Sequence, residues 1–111
     1  MAGKPRSPER LRTVRMARMF RLLGDPTRLS LVLGCLAKPR TVTELATQSG
    51  LSLPLTSHHL RLLRTAGLVE AERDGRRVYY QPADRHIRHM LADITHHADQ
   101  CLSPSSKRKT P

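Results

Sequence analysis

From Arg10 to Leu23 the apolar residues Leu11, Val14, Met16, Ala17, Phe20 and Leu23 return at helical spacing, while Arg12, Arg15, Arg18 and Arg21 repeat every three residues on another side. Ser7-Pro8-Glu9 ahead of this run supplies a cap, a first-turn proline and an acid, so the helix starts there. Gly24-Asp25-Pro26 ends it and opens a second helix, Thr27 to Leu36. Its residues Leu29, Leu31, Val32, Leu33, Cys35 and Leu36 are apolar nearly all round, which places this helix at the centre of a core. Lys38-Pro39-Arg40-Thr41 breaks the pattern.

Val42 to Gln48 and Pro54 to Ala66 read as two further helices joined by the tight turn Ser49-Gly50-Leu51-Ser52, the signature of a helix-turn-helix. In the second of these, Leu55, His59, Leu62 and Ala66 recur at i, i+4, i+7 and i+11, with Leu60 and Leu63 alongside, and predict the buried face. Thr56, Ser57, Arg61 and Arg64 fall on the other side. Small hydroxyls and arginines on an exposed face, behind a Ser52 cap and with Pro54 in the first turn, suit a helix whose N-terminal end enters a DNA major groove. Ser52, Leu53, Thr56, Ser57 and His58 are the candidate readers of base edges; Arg61 and Arg64 are candidates to hold phosphates.

Beyond Gly67 the period changes. Leu68 to Arg73 alternates, Asp74-Gly75 is a two-residue turn signal, and Arg77 to Gln81 alternates again, which predicts a β-hairpin. Arg73, Arg76 and Arg77 flank its tip, where a wing can straddle the DNA backbone and reach the minor groove. From Asp84 to about Leu102 a last helix carries Ile87, Met90/Leu91, Ile94, Ala98 and Cys101 in a narrow stripe at a period of 3.5 to 3.6, the pattern of a helix that packs on a partner helix. The fold expected is mostly α with a β-hairpin wing, a winged helix-turn-helix that forms a homodimer through its terminal helices. One domain spans 8–102, between a disordered basic N-terminus at 1–7 and a disordered basic tail at 103–111.

Charge sharpens the choice of partner. The 111 residues carry a formal net charge of +11. Residues 1–24 account for a net of +6 and residues 103–111 for +3, leaving +2 for the middle. An excess held at the ends reaches a polyanion without disturbing the fold, so double-stranded DNA is the expected partner. No apolar run approaches the roughly 18 residues of a membrane span, and MAGKPRSPER lacks an export core. A cytoplasmic protein without a membrane partner is expected, its two cysteines kept reduced. No Gly-rich phosphate loop or paired catalytic carboxylates occur, so an enzyme is not expected. The scarcity of aromatic residues speaks against single-strand RNA reading.

Four stretches together resemble the ArsR/SmtB family of winged-helix repressors: Leu23-Gly24-Asp25-Pro26-Thr27-Arg28-Leu29, Glu44-Leu45-Ala46, Ser57 to Val69, and Arg73 to Tyr80. The likeness covers roughly residues 10 to 101 and is most specific from Ser57 to Tyr80. It implies a homodimer that binds an imperfect palindrome and is released by an effector, often a metal ion. The family's Cys-x-Cys site at the start of the helix-turn-helix has no counterpart, because Glu44 to Ala46 and their neighbours hold no cysteine.

Zinc-type members place their ligands on the last helix as Asp-x-His, then ten residues, then His-x-x-His or His-x-x-Glu. Asp84-Arg85-His86 and His97-Ala98-Asp99-Gln100 match at three of the four positions, with Gln100 at the fourth; Cys101, Asp99 or His96 can substitute for that poor ligand. His86 and His97 lie eleven residues apart, about 16 Å along one helix, too far to share an ion bonded at about 2 Å. Two such helices crossing antiparallel near Leu91 would bring Asp84 and His86 of one chain beside His97 and Gln100 or Cys101 of the other. Imidazole and carboxylate donors suit Zn2+, Co2+ or Ni2+ as effector, not as a catalytic cofactor. The expected function is therefore a homodimeric DNA-binding transcriptional repressor released from its operator by a transition-metal ion bound between the C-terminal helices. Two alternatives stay open: a thiol-based redox or persulfide-sensing repressor using Cys35 and Cys101, and a constitutive architectural DNA-binding protein without effector.

Overall fold

The computed structural model describes residues 7–102, ordered as five helices and three strands. Helix α1 spans Pro8–Leu23, α2 Pro26–Gly34, β1 Arg40–Thr41, α3 Val42–Ser49, α4 Leu53–Thr65, β2 Val69–Asp74, β3 Arg77–Pro82 and α5 Arg85–Leu102. The expected basic tails lie outside the described residues except for Ser7, whose side chain caps α1 by accepting from Arg10 N. Asp25 caps α2 in the same way, accepting from Arg28 N, and the Arg28 guanidinium donates back to the Leu22 carbonyl, fastening the α1–α2 corner. The architecture is the expected one, mostly helical with a hairpin wing.

Leu31, Val32 and Cys35 of the α2 region meet Leu45 of α3, Leu60 and Leu63 of α4, Leu68, Val69 and Leu91 in one buried cluster. Helix α2 is thus the central element that its all-round apolar sequence predicts. Helix α1 departs from expectation: of its apolar residues only Leu23 is buried, and Leu11, Met16 and Phe20 stand about half exposed.

The phase of α4 also departs from the reading. Its inward line is Thr56, Leu60 and Leu63, all fully buried, whereas Leu55, expected in the core, is 43% exposed. Thr56 carries the discrepancy. Its hydroxyl donates to the Ser52 carbonyl at 2.8 Å, so a polar side chain sits in the core with its donor satisfied, and a stripe traced through apolar residues alone comes out one position off.

The sheet has strand order β1-β3-β2, antiparallel throughout. Asp74 pairs with Arg77, so the hairpin loop is Gly75-Arg76 and not Asp74-Gly75. Gly75 has φ +68° and, among the described residues, no non-glycine has positive φ, the pattern of a turn with glycine at its first loop position. Strand β1 was not foreseen, since two residues are too short to alternate. It pairs Arg40 with Tyr80 and Thr41 with Tyr79. No helix among the described residues is long and apolar enough to cross a membrane.

Candidate nucleic-acid interface and metal site

Thr41 and Glu44 open α3 with a reciprocal capping box: Glu44 N donates to Thr41 Oγ1 at 3.1 Å and Thr41 N to Glu44 Oε1 at 3.0 Å. Gly50, at φ +72°, closes α3 in the left-handed conformation that lets the chain turn at once into α4. Ser52 caps α4, its hydroxyl oxygen accepting from Leu55 N at 3.2 Å. This chain of caps fixes the angle between α3 and α4 and presents one face of α4 outward.

That face carries most of the expected contact residues. Ser52, Leu53, His58, Arg61 and Arg64 are exposed and Ser57 is half-buried. Thr56 is not among them. Fully buried and bonded to Ser52, it faces the core and is removed from the set of base readers. The wing arginines Arg73, Arg76 and Arg77 are all exposed around the hairpin tip, and Arg76 and Arg77 line a shallow cleft against Thr41 to Glu44 at the start of α3. Across the strands, Gln81 Nε2 donates to Glu70 Oε2 at 2.7 Å and steadies the wing's base.

The metal-ligand candidates lie at the two ends of α5. Asp84 caps the helix, one carboxylate oxygen accepting from Ile87 N at 3.0 Å, and His86 is exposed beside it. One helix length away, Cys101 Sγ lies 3.5 Å from His97 Nε2, with both side chains exposed. Gln100 instead approaches His96, with Nε2 atoms 3.0 Å apart. Among the described residues no three His, Cys, Asp or Glu side chains of one chain gather to hold a metal ion. An ion held by these residues would therefore have to draw on two half-sites. A thiol and an imidazole one turn apart make one half, and a capping carboxylate with a free second oxygen and an imidazole make the other.

Cys35 and Cys101 are both free, in unlike surroundings. Cys35 is fully buried behind α2, its Sγ 3.4 Å from the Val32 carbonyl. Burial pushes its thiol up to about 11, outweighing the opposite pull of its backbone hydrogen bond and of Arg88 and Arg40. A thiol held protonated and out of solvent is a poor nucleophile, which argues against the Cys35/Cys101 switch. Iodoacetamide at neutral pH should accordingly modify the native protein once per chain, at Cys101, with Cys35 reacting only after unfolding. Peptide mapping that finds both labelled at similar rates would restore the dithiol reading.

Two features were missed by sequence reasoning. Arg88 donates from Nη1 to the Leu36 carbonyl, tying α5 to the chain just beyond α2; nothing in a polar helix face signals a bond spanning fifty-two residues. The second is the exposed apolar surface: a cleft lined by Phe20, Leu23, Leu29, Met90, Leu91 and Ile94 opens between α1, α2 and α5. The stripe on α5 and the apolar residues of α1 pointed to its walls; that the two helices enclose a cleft together with α2 did not show.

The model of the bacterial regulatory protein arsR family matches residues 25–71, from the start of α2 into the first wing strand. The chain is 39% identical over 82 residues to the HTH-type transcriptional repressor SmtB of Mycobacterium tuberculosis, a match covering 74% of this chain and 61% of that protein. This chain thus spans about three fifths of the length of that relative. A probable mercury resistance operon repressor of Streptomyces lividans is 42% identical over 71 residues, covering 64% of this chain and 57% of the relative. Among solved structures, the homodimeric winged helix-turn-helix DNA-binding domain of a possible ArsR-family regulator from Mycobacterium bovis superposes with a TM-score of 0.81. It is 31% identical, and the match covers 92% of this chain and 94% of that domain.

Proposed function

The chain belongs to the ArsR family of bacterial regulatory proteins, and on that premise we propose that it is a homodimeric transcriptional repressor that leaves its operator when a transition-metal ion binds between its C-terminal helices. The observation that carries this reading is the division of the exposed surface. Polar and basic side chains dominate α4 and the wing, while five of the seven large apolar side chains exposed among the described residues, Leu11, Met16, Phe20, Ile94 and Leu102, lie on α1 and α5.

Two copies joined through the α1/α5 surface present two α4 helices to successive major grooves of a palindrome. Ser52, Leu53, Ser57 and His58 meet base edges, and Arg61, Arg64, Arg73, Arg76 and Arg77 hold phosphates. Asp84 and His86 of one protomer, with His97 and Cys101 of its partner, would hold the ion. His97 and Cys101 already stand 3.5 Å apart, and Cys101 rather than Gln100 is the better fourth donor because Gln100 is drawn toward His96. The mercury resistance repressor among the relatives is in keeping with a metal response. When bound, the ion supplies a cross-link between the two α5 helices. Asp84, at the cap of α5, and Arg88, at its tie to Leu36, connect that helix to the rest of the fold. Coupling of this kind typically changes affinity about 5- to 150-fold, and by reciprocity operator DNA weakens metal binding by the same factor.

The test is titration of the reduced dimer, bound to a duplex it has selected from a random library, with zinc, cobalt and nickel. Release is expected, with a tetrahedral cobalt spectrum. The sulfur-to-cobalt charge-transfer band should vanish in Cys101→Ser, and His97→Ala should keep DNA affinity while losing the response. Equal DNA affinity with and without every metal would leave a constitutive DNA-binding protein.

A further inference from the structure

Among the described residues seven large hydrophobic side chains are exposed, and they fall into two groups. Leu11, Met16, Phe20, Ile94 and Leu102 lie on α1 and α5, where a second copy accounts for them. Leu53, 49% exposed, and Leu55, 43% exposed, do not belong to that surface. They flank Pro54 in the first turn of α4, the end of the helix that leads into the groove, and the same helix sends Thr56, Leu60 and Leu63 inward. Isolated exposed leucines need no explanation, but Leu53, Pro54 and Leu55 are three consecutive exposed apolar residues, with the two leucines on opposite flanks of the helix tip, and the helix's other exposed side chains are hydroxyl, imidazole and guanidinium groups.

In the major groove one base presents an apolar group at its edge: thymine, through the methyl on C5. We propose that Leu53 and Leu55 read thymine through that methyl, so that each operator half-site carries thymine beneath the tip of α4, beside the bases met by Ser57 and His58. Leu55 and His58 are three residues apart and share one side of the helix, so the methyl contact and the polar contact fall on neighbouring base pairs. Removal of water from a leucine and a methyl together accounts for discrimination without a hydrogen bond. A cytosine methylated at C5 presents the same group in the same place and should be accepted where plain cytosine is not.

This inference rests on the operator-binding reading, and its test separates the two. The full-length protein selects duplexes from a random library, and each thymine of the selected half-site is then replaced by uracil, which removes only the methyl. At one or more positions per half-site affinity should fall about fourfold per methyl. A thymine-to-cytosine change at those positions should weaken binding, and 5-methylcytosine should recover part of the loss. In Leu53→Ala with Leu55→Ala, thymine and uracil duplexes should bind alike, while Arg61 and the wing keep overall DNA binding; both leucines are exposed, so the fold is preserved. Equal binding of uracil and thymine duplexes by the natural protein, half-sites without thymine, or discrimination that survives in the double variant each overturn the inference and leave the repressor reading intact. Failure to select any discrete duplex overturns the repressor reading, and this inference with it.

Discussion

Phe20→Asp combined with Ile94→Asp should yield a folded monomer whose hold on operator DNA is weaker by about 100-fold or more. Phe20 and Ile94 are 56% and 58% exposed and line the apolar cleft between α1, α2 and α5 without entering the buried cluster. The substitutions thus leave the core of each chain in place and, in the proposed dimer, would set like charges against each other across the two-fold. A dimer engages its second half-site as an intramolecular event, with an effective concentration that multiplies affinity about 10²- to 10⁴-fold over one reader alone. Sedimentation velocity reads the oligomeric state, circular dichroism the fold, and a gel shift the affinity. A double variant that remains dimeric, or a folded monomer that binds the operator as tightly as the natural protein, would move the interface elsewhere.

Leu60→Ala is expected to cost about 2 to 5 kcal/mol of stability, a large part of the roughly 5 to 15 kcal/mol available to a domain of this size. Leu60 is fully buried, in contact distance of the cluster that joins α2, α3 and α4, and it shares the inward line of α4 with Thr56 and Leu63. Arg61, the next residue, is exposed and supplies the control: Arg61→Ala should leave the melting temperature nearly unchanged while weakening DNA binding. Thermal melts followed by circular dichroism check both. A Leu60→Ala protein as stable as its parent would mean that the phase assigned to α4 is wrong.

That phase shows what could and could not be read ahead of the structure. Caps are local, so Ser7, Asp25 and Ser52 each announced a helix start that the coordinates place within a residue or two, while Thr41, read only as part of a break, proved to cap α3. The helix-turn-helix and the wing were legible for the same reason. Thr56 misled because the pattern equates burial with apolarity, and a threonine whose hydroxyl returns to the backbone escapes that equation. Strand β1 and the Arg88 tie were invisible because each exists only through a distant segment, β3 in one case and the end of α2 in the other. Helix periodicity placed His97 and Cys101 one turn apart, as the structure has them; their meeting with Asp84 and His86 is a proposal that the family resemblance suggests, because it needs a second chain.

Strand β1 has a further mechanical meaning. Thr41 is at once the last residue of β1, in register with Tyr79 of the wing, and the residue whose side chain starts α3. No linker separates sheet from helix, so the wing has no hinge of its own and turns with α3 as one stiff bracket. In the proposed dimer each protomer would behave like the jaw of a caliper with a single adjustable quantity, the gap to the other jaw. A ligand seated far from the DNA would then have no need to reshape either jaw; a small change in that gap would put the pair out of step with the pitch of the duplex.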